Sequence, residues 1–446
     1  MAATVIDSVS VQLEQVSDIL ARYYDQSTSL SSRLKPSKTV AASRYLYRIP
    51  FMRSVGGTLR KYIANGGDMG AGTGPVYSNL EAGYFDSTYN FEITKEQKDY
   101  AESNGSAMDN VMTEILTNAF TQLEVYDNIF LFGDGTGKYT NPASSSPAAN
   151  QLTFASSSDT IGVNRLFLGM AVSVWDATGA TKRADGPYYI SNIDWTNKVV
   201  TFTANITGVA GTDLLAVDEV DVYGPATLTS FSSTWPGGGL TNGNGLTGDS
   251  WRHGLAYVNN ATGANYYLGK LRSAYGDLVP VQVAAASNAL TFSMVELAKN
   301  LAIQKRDEKI MEGMQCVVHM AQRAQLQDTL VAVSNFYRDT TSANMIDLQP
   351  RAENEFEVSG VKFFVDKRQD KARVDAFNAK NWFRVEGHPS QWLDYGDGQK
   401  IRLMTVGSTG NAKAAYELKV VQKMDTGCSD PGAGFYIDGL AVPTNY

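Results

Sequence analysis

The sequence is poor in the residue types from which most catalytic and metal centres are built. Two cysteines, Cys316 and Cys428, and three histidines, His253, His319 and His388, occur in 446 residues. Two distant cysteines in unlike contexts argue against a disulfide framework and fit a reducing compartment. The histidines are scattered with no second histidine nearby, so no zinc site is expected. No run approaches the roughly 18 uninterrupted apolar residues of a membrane span. The stretch from Met1 to Asp18 is acidic and amphipathic, without the basic start and apolar middle of a secretory signal. Asn205-Ile206-Thr207 and Asn260-Ala261-Thr262 then read as chance matches to a glycosylation acceptor. An excess of basic residues is also missing: the net charge is -8, which disfavours a dedicated nucleic-acid binder.

What is present is a globular composition, 43% hydrophobic and 19% charged, in a chain long enough for two or three domains. Forty glycines and 23 tyrosines imply many turns and many amphipathic contact residues, as at subunit interfaces. The charge is unevenly placed. From Gln26 to Gly67 there are eight basic residues (Arg33, Lys35, Lys38, Arg44, Arg48, Arg53, Arg60 and Lys61) and no acidic one. The rest of the chain therefore carries 30 basic against 46 acidic residues, a balance of -16. A cationic arm on an acidic body suits an arm that reaches onto a neighbouring copy. Tyr45, Tyr47, Phe51 and Tyr62 interleave those cations, which would also suit base stacking, and a solvated tail is the plainer alternative. Charge complementarity favours partner contact.

Periodicity divides the chain. Ile6, Val9, Leu13, Val16, Leu20 and Tyr23 predict an amphipathic helix with acids on its polar face, suited to docking on protein. Residues 50 to 98 are punctuated by glycine pairs, and Leu80 to Thr94 alternates, predicting a long two-stranded ribbon with a flexible tip. Met108, Met112, Ile115, Ala119, Leu123 and Tyr126 predict a helix from Ser106 to Asn128, stopped by Gly133-Asp134-Gly135-Thr136-Gly137. Asn141 to Asn150 reads as a linker. From 151 to 224 only strand signal follows, with strands expected at 170–174, 188–193, 199–203 and 220–223. The second half alternates: helix at 291–311, strand at 316–320, helix at 321–333, strand at 360–366, then mostly strand. The class is α+β.

The glycine motifs do not carry chemistry. At Gly133 to Lys138 the phosphate-loop pattern lacks its first glycine, where Phe132 stands, and its hydroxyl, where Tyr139 stands. Gly243-Asn244-Gly245-Leu246-Thr247-Gly248 matches the dinucleotide fingerprint by letter, but a triglycine loop precedes it instead of a strand. There is no Gly-x-Ser-x-Gly elbow. No catalytic, cofactor-binding or metal residue is assigned, and no cofactor is expected.

The order of parts resembles the tailed-bacteriophage major capsid proteins of the Hong Kong 97-type fold. Phe130-Leu131-Phe132-Gly133-Asp134-Gly135-Thr136-Gly137 is similar to the run that follows that family's spine helix, Gly360 to Asp366 to its late closing strand, and Phe435 to Pro443 to its terminal strand. The resemblance implies an N-terminal arm at 1–48, an extended β-ribbon loop at 49–98, and a spine helix with part of the peripheral domain at 99–150. It further implies an inserted all-β domain at 151–225, a mainly axial domain at 226–358, and the closing sheet of the peripheral domain with the C-terminus at 359–446. No motif matching the family's Lys–Asn crosslink is found.

What the resemblance implies about function is a structural subunit, not an enzyme. It would assemble with copies of itself, as pentamers and hexamers, into an icosahedral head in the host cytoplasm and remain in the virion. A separate scaffolding protein is expected, because the spine helix begins too early to leave room for a removable scaffold. A portal and a decoration protein are further implied partners, with packaged double-stranded DNA contacted non-specifically and no membrane. The eight cations of the arm and ribbon are the expected inter-subunit contacts. An encapsulin-like protein compartment shares the fold and is the alternative; a β-rich carbohydrate-active enzyme is a second one, resting on Tyr, Trp and Gly content alone.

Overall fold

Sheets are the main regular structure of the described residues, and the positions of three of them define the architecture. The computed structural model describes residues 29–34, 39–41, 47–59, 72–82, 85–95, 120–155, 159–179, 181–183, 186–217, 251–263, 265–326, 355–358, 360–394, 401–405 and 412–443. The expected N-terminal helix, the first part of the expected spine helix, the strand at 220–223, the glycine loop at 237–248 and the second half of the helix at 321–333 lie outside them.

The chain enters through a short helix α1 (Ser29–Arg33) and a three-residue strand β1 (Thr39–Ala41). Strands β2 (Tyr47–Ser54) and β3 (Val76–Ala82) form an antiparallel ribbon in which Ile49 faces Leu80 and Met52 faces Tyr77. The ribbon is shorter than the alternation of Leu80 to Thr94 suggests. That stretch divides after Ala82, and β4 (Phe85–Thr94) leaves the ribbon to pair over its whole length with a C-terminal strand. Helix α2 (120–130) follows, running past the expected stop to Phe130, and a chain of turns leads on. Gly137, at φ +77°, takes a left-handed conformation there with Trp251 against it.

The β-module comprises β5 (Gln151–Thr153), β6 (Ala171–Trp175), β7 (Tyr188–Asp194), β8 (Val199–Phe202) and β9 (Leu214–Val217). They form one antiparallel sheet in the order β5-β8-β7-β6-β9. Its core joins Leu152, Phe154, Val172, Val174, Val200 and Phe202 to Val125, Ile129 and Phe130 of α2, so the module shares its interior with the helix. The stretch expected to be a linker belongs to this module. The Ala143 amide donates to the Asp213 carbonyl (2.8 Å) and that of Ser144 to Thr153 (2.7 Å), because small side chains let this backbone lie on the strands.

Helix α3 (Leu255–Val258), the short pair β10 (Tyr266–Tyr267) and β11 (Lys270–Leu271), and β12 (Val281–Ala284) come next. Helix α4 (Phe292–Lys305) is capped by the Thr291 hydroxyl, which accepts from the Met294 amide (3.4 Å). It ends six residues before the expected Met311. The Arg306 guanidinium turns away to the Asp277 carbonyl and the Asp430 carboxylate (both 2.7 Å), and Asp307 is extended. Strand β13 (Met314–Val318) leads into helix α5 (320–326).

Then come β14 (Glu355–Val358), β15 (Val361–Val365), β16 (Val374–Asn378), β17 (Trp382–Trp392), β18 (Ile401–Thr405), β19 (Ala412–Cys428) and β20 (Phe435–Asp438). The central sheet is mixed, ordered β12-β20-β16-β13-β15-β14. Val295, Ala298 and Ala302 of α4 share its core, two of them small enough for close helix–sheet approach. The third sheet is built on the 17-residue β19, with β17 and β18 along one edge and β4 along the other. β1 adds a parallel strand to β17.

Candidate inter-subunit surface

The ribbon changes character along its length. At its root Leu80 and Ala82 are buried with Leu131, Phe132 and Leu255 of the body. Midway, the Phe51 ring meets Tyr275 edge-on at 6.4 Å, and the Arg53 guanidinium lies over the same ring at 4.7 Å while its Nε reaches Asp277 Oδ2 at 3.5 Å. Beyond that, Met52, Val55, Leu59, Val76 and Tyr77 are exposed, Val55 at 75% and Tyr77 at 65%. Gly56 and Gly57 have φ of +74° and +87°, and the Gly57 amide donates to the Thr73 carbonyl (2.7 Å). A Cβ on Gly56 would stand 2.4 Å from that same oxygen.

A buried polar node fixes the base of this construction. Arg252 donates to Asp127 of α2, to Ser87 of β4 and to Gln422 of β19 (2.9 Å for the last). Beside it His253 is 1% exposed; its backbone amide and Nδ1–H both donate to Asp425, at 3.0 and 2.6 Å. The ring stacks on Tyr257 at 3.9 Å and meets Phe85 edge-on at 5.7 Å. Helix α2, strand β4 and the long strand β19 are thereby locked together through paired charges, whose loss would leave a buried ion uncompensated. Sequence reading did not find this node, since His253 and Asp425 are 172 residues apart and no local motif joins them.

Three of the eight sequence-derived cations fall among the described residues, and each has a contact within the chain. Arg33 lies over the Phe364 ring at 4.6 Å, Arg48 reaches Glu81 across the ribbon at 3.3 Å, and Arg53 holds Asp277 and Tyr275. Arg33 belongs to α1, whose start is pinned to α2 by Asn128 Oδ1 accepting from the Leu30 and Ser31 amides (3.0 and 2.9 Å). Lys35, Lys38, Arg44, Arg60 and Lys61 lie outside the described residues.

Among the described residues no group of three or more His, Cys, Asp or Glu side chains could hold a metal ion, and no helix is long and apolar enough to cross a membrane. Both thiols are buried, and burial pushes that of Cys428 up to about 12, far from the thiolate form that reactive cysteines need.

No family model matches the chain, and no curated protein matches it. Solved structures do. A chain of the cyanophage A-1(L) capsid asymmetric unit superposes with a TM-score of 0.51 at 12% identity, covering 96% of both chains. The fold is similar to that of a phage capsid chain. Chains from the capsid of a native GTA particle (TM-score 0.44, 9% identity, 96% and 95% covered) and from Mycobacterium phage Bobi (0.42, 8%, 97% and 98%) also align along nearly their whole lengths. At these identities the likeness is one of architecture.

Proposed function

We propose that this chain is a major capsid protein that self-assembles, as pentamers and hexamers, into an icosahedral phage head enclosing double-stranded DNA. The observation that carries the reading is the ribbon: rooted in its own core, it ends in exposed Met52, Val55, Leu59, Val76 and Tyr77. A two-stranded ribbon has little stability of its own in water, and an exposed apolar patch of this kind marks a contact surface. On this reading the contact of the patch is heterologous, so that it repeats around a ring. The likeness of fold to the cyanophage capsid chain supports the same reading. Spread over an arm, a ribbon and the charges beside them, such contacts reach the obligate range of roughly 2,000 Å² or more. On this reading the 151–225 segment decorates the shell or steadies the subunit, residues 226–358 stand near the ring centre, and a separate scaffolding protein directs closure. Portal and decoration proteins complete the virion.

Electron microscopy of the purified full chain, with and without a co-expressed scaffold, tests this. Closed shells of uniform size are expected in the presence of scaffold and DNA within the mature particle. Shells that enclose protein cargo instead would point to an encapsulin-like compartment. Reversing Arg48, Arg53, Arg60 and Lys61 to Glu is expected to leave folded monomers and no shells; normal particles from that variant would remove the electrostatic part of the reading.

A further inference from the structure

The seam between the β-module and the central sheet is buried and polar. The Lys371 amide donates to the Thr160 carbonyl (2.8 Å), and the buried Arg165 donates to the carbonyls of Arg368 (3.0 Å) and Phe132 (3.3 Å). At the centre of this seam stands His319, 2% exposed, in the step from β13 to α5. The Ala321 amide donates to its Nδ1 (3.1 Å), and its carbonyl accepts from Gln322 (3.0 Å) and Arg323 (3.2 Å), so ring and backbone together hold the first turn of α5. A nitrogen that accepts carries no proton, which places the neutral ring's hydrogen on Nε2. Asn164 Nδ2 of the module lies 3.1 Å from that atom, and with the hydrogen on Nε2 the amide is turned over so that its Oδ1 accepts from the ring. Gln322, on the turn that His319 caps, in turn holds the carbonyls of Lys371 (2.6 Å) and Ala441 (2.8 Å).

We propose that His319 is an acid-operated latch: when neutral it caps α5 at the seam with the 159–166 loop of the β-module, and when protonated it loses that cap and, as a buried cation, forces the seam open. A second proton on the ring must displace the Ala321 amide, and it places a cation at a helix start beside two others. The charged groups that face the ring are Lys371, from the loop after β15, and Lys198, from the β7–β8 turn. Burial first, then these two ammonium groups, push the imidazole from 6.5 down to about 3, against a hydrogen bond to the Lys367 backbone that favours the cation. Asp159 and Asp370 face Lys371 in turn.

Asp159 acts in the opposite sense. One of its oxygens accepts from the Gly162 amide (2.8 Å), and the other, buried, has no hydrogen-bond partner among the described residues. Burial pushes it up from 3.8 to about 6. The signs then follow from linkage. His319, depressed in the folded state, loses stability for the seam as pH falls from about 6.5 toward 3. Asp159, raised in the folded state, adds stability as pH falls from about 6 toward 3.8. The two offset each other down to about pH 4, below which His319 acts alone and the latch opens.

Hydrogen exchange of the full chain read by mass spectrometry, corrected for the intrinsic pH dependence, tests this. Protection of peptides covering 159–166 and 319–326 is expected to fall about two- to threefold between about pH 5 and about pH 3.5, while β6 to β8 stay protected. His319→Asn, whose amide oxygen can accept from Ala321 but cannot titrate, should keep protection throughout. Asp159→Asn should move the loss upward toward about pH 6. Equal loss in wild type and His319→Asn, or no loss in wild type, would overturn the latch. If the His319 variant does not fold, the wild-type ring decides by NMR: a proton on Nδ1, or a midpoint near the ordinary value, refutes the proposal.

Discussion

The ribbon and the β-module are both built of short antiparallel strands, yet they solve the problem of apolar surface in opposite ways. The module turns Phe154, Val174, Val200 and Phe202 inward and borrows Val125, Ile129 and Phe130 from α2 to close its core. The ribbon buries Leu80 and Ala82 at its root and leaves Met52, Val55 and Tyr77 in solvent at its end. The module completes its own packing within one chain; the ribbon does not. On the proposed reading, apolar surface left open on the ribbon, beside a module closed on itself, suits a subunit that is stable before assembly and committed after it. The contrast can be broken by substitution at each end.

The largest effect is expected at the ribbon end and should be invisible to stability measurements. Val55→Ser, Leu59→Ser and Tyr77→Ser together remove apolar side chains that are each at least 65% exposed. Their joint effect on chemical denaturation of the monomer should stay within about 0.5 kcal/mol per site. Assembly, followed by light scattering and electron microscopy, should be lost. Retention of shells would place the inter-subunit contact elsewhere. The counterpart in the module is Phe154→Ala. Phe154 is wholly buried, so its truncation should destabilise the chain by about 3–5 kcal/mol. The same variant, refolded at low temperature, should still assemble, because no ribbon residue is altered.

How much of this contrast could be read from the sequence depends on how local its causes are. Strands β6, β7 and β8 were legible because one face of the sheet is buried and period-two alternation records it. Strand β9 was not: Leu214-Leu215-Ala216-Val217 has no polar residue to mark a face, and the first three are all buried. The ribbon was legible as glycine-punctuated alternation, but its end point was not. Alternation runs on through Phe85 to Thr94, and only pairing with β19, more than 300 residues away in sequence, assigns β4 to a different sheet. The cationic arm was obvious as composition, whereas the destinations of Arg48 on Glu81 and Arg53 on Asp277 depend on tertiary placement. The seam residues Asp159, His319 and Lys371 carry no motif at all. Their properties come from burial, which sequence spacing does not encode.

The smallest effect sharpens the comparison most, because it separates intrachain from inter-subunit use of one cation. Arg48 and Glu81 sit across the ribbon at 3.3 Å, with side chains 66% and 31% exposed. An ion pair so open to solvent contributes about 0–1 kcal/mol, and salt weakens it further. Arg48→Ala should therefore shift monomer stability by less than about 1 kcal/mol, and a double-mutant cycle with Glu81→Ala should return a coupling of the same small size. If Arg48 serves only the ribbon, the rate of assembly should be equally indifferent. If instead it meets an acidic patch on a neighbouring copy, Arg48→Ala should slow assembly at low salt, and the difference from wild type should vanish as ionic strength rises, since steering by exposed charge is screened over about 10 Å at 0.1 M. A deficit that persists at high salt would mean that Arg48 acts by shaping the ribbon and not by its charge. The apolar end would then be left as the sole carrier of the contact.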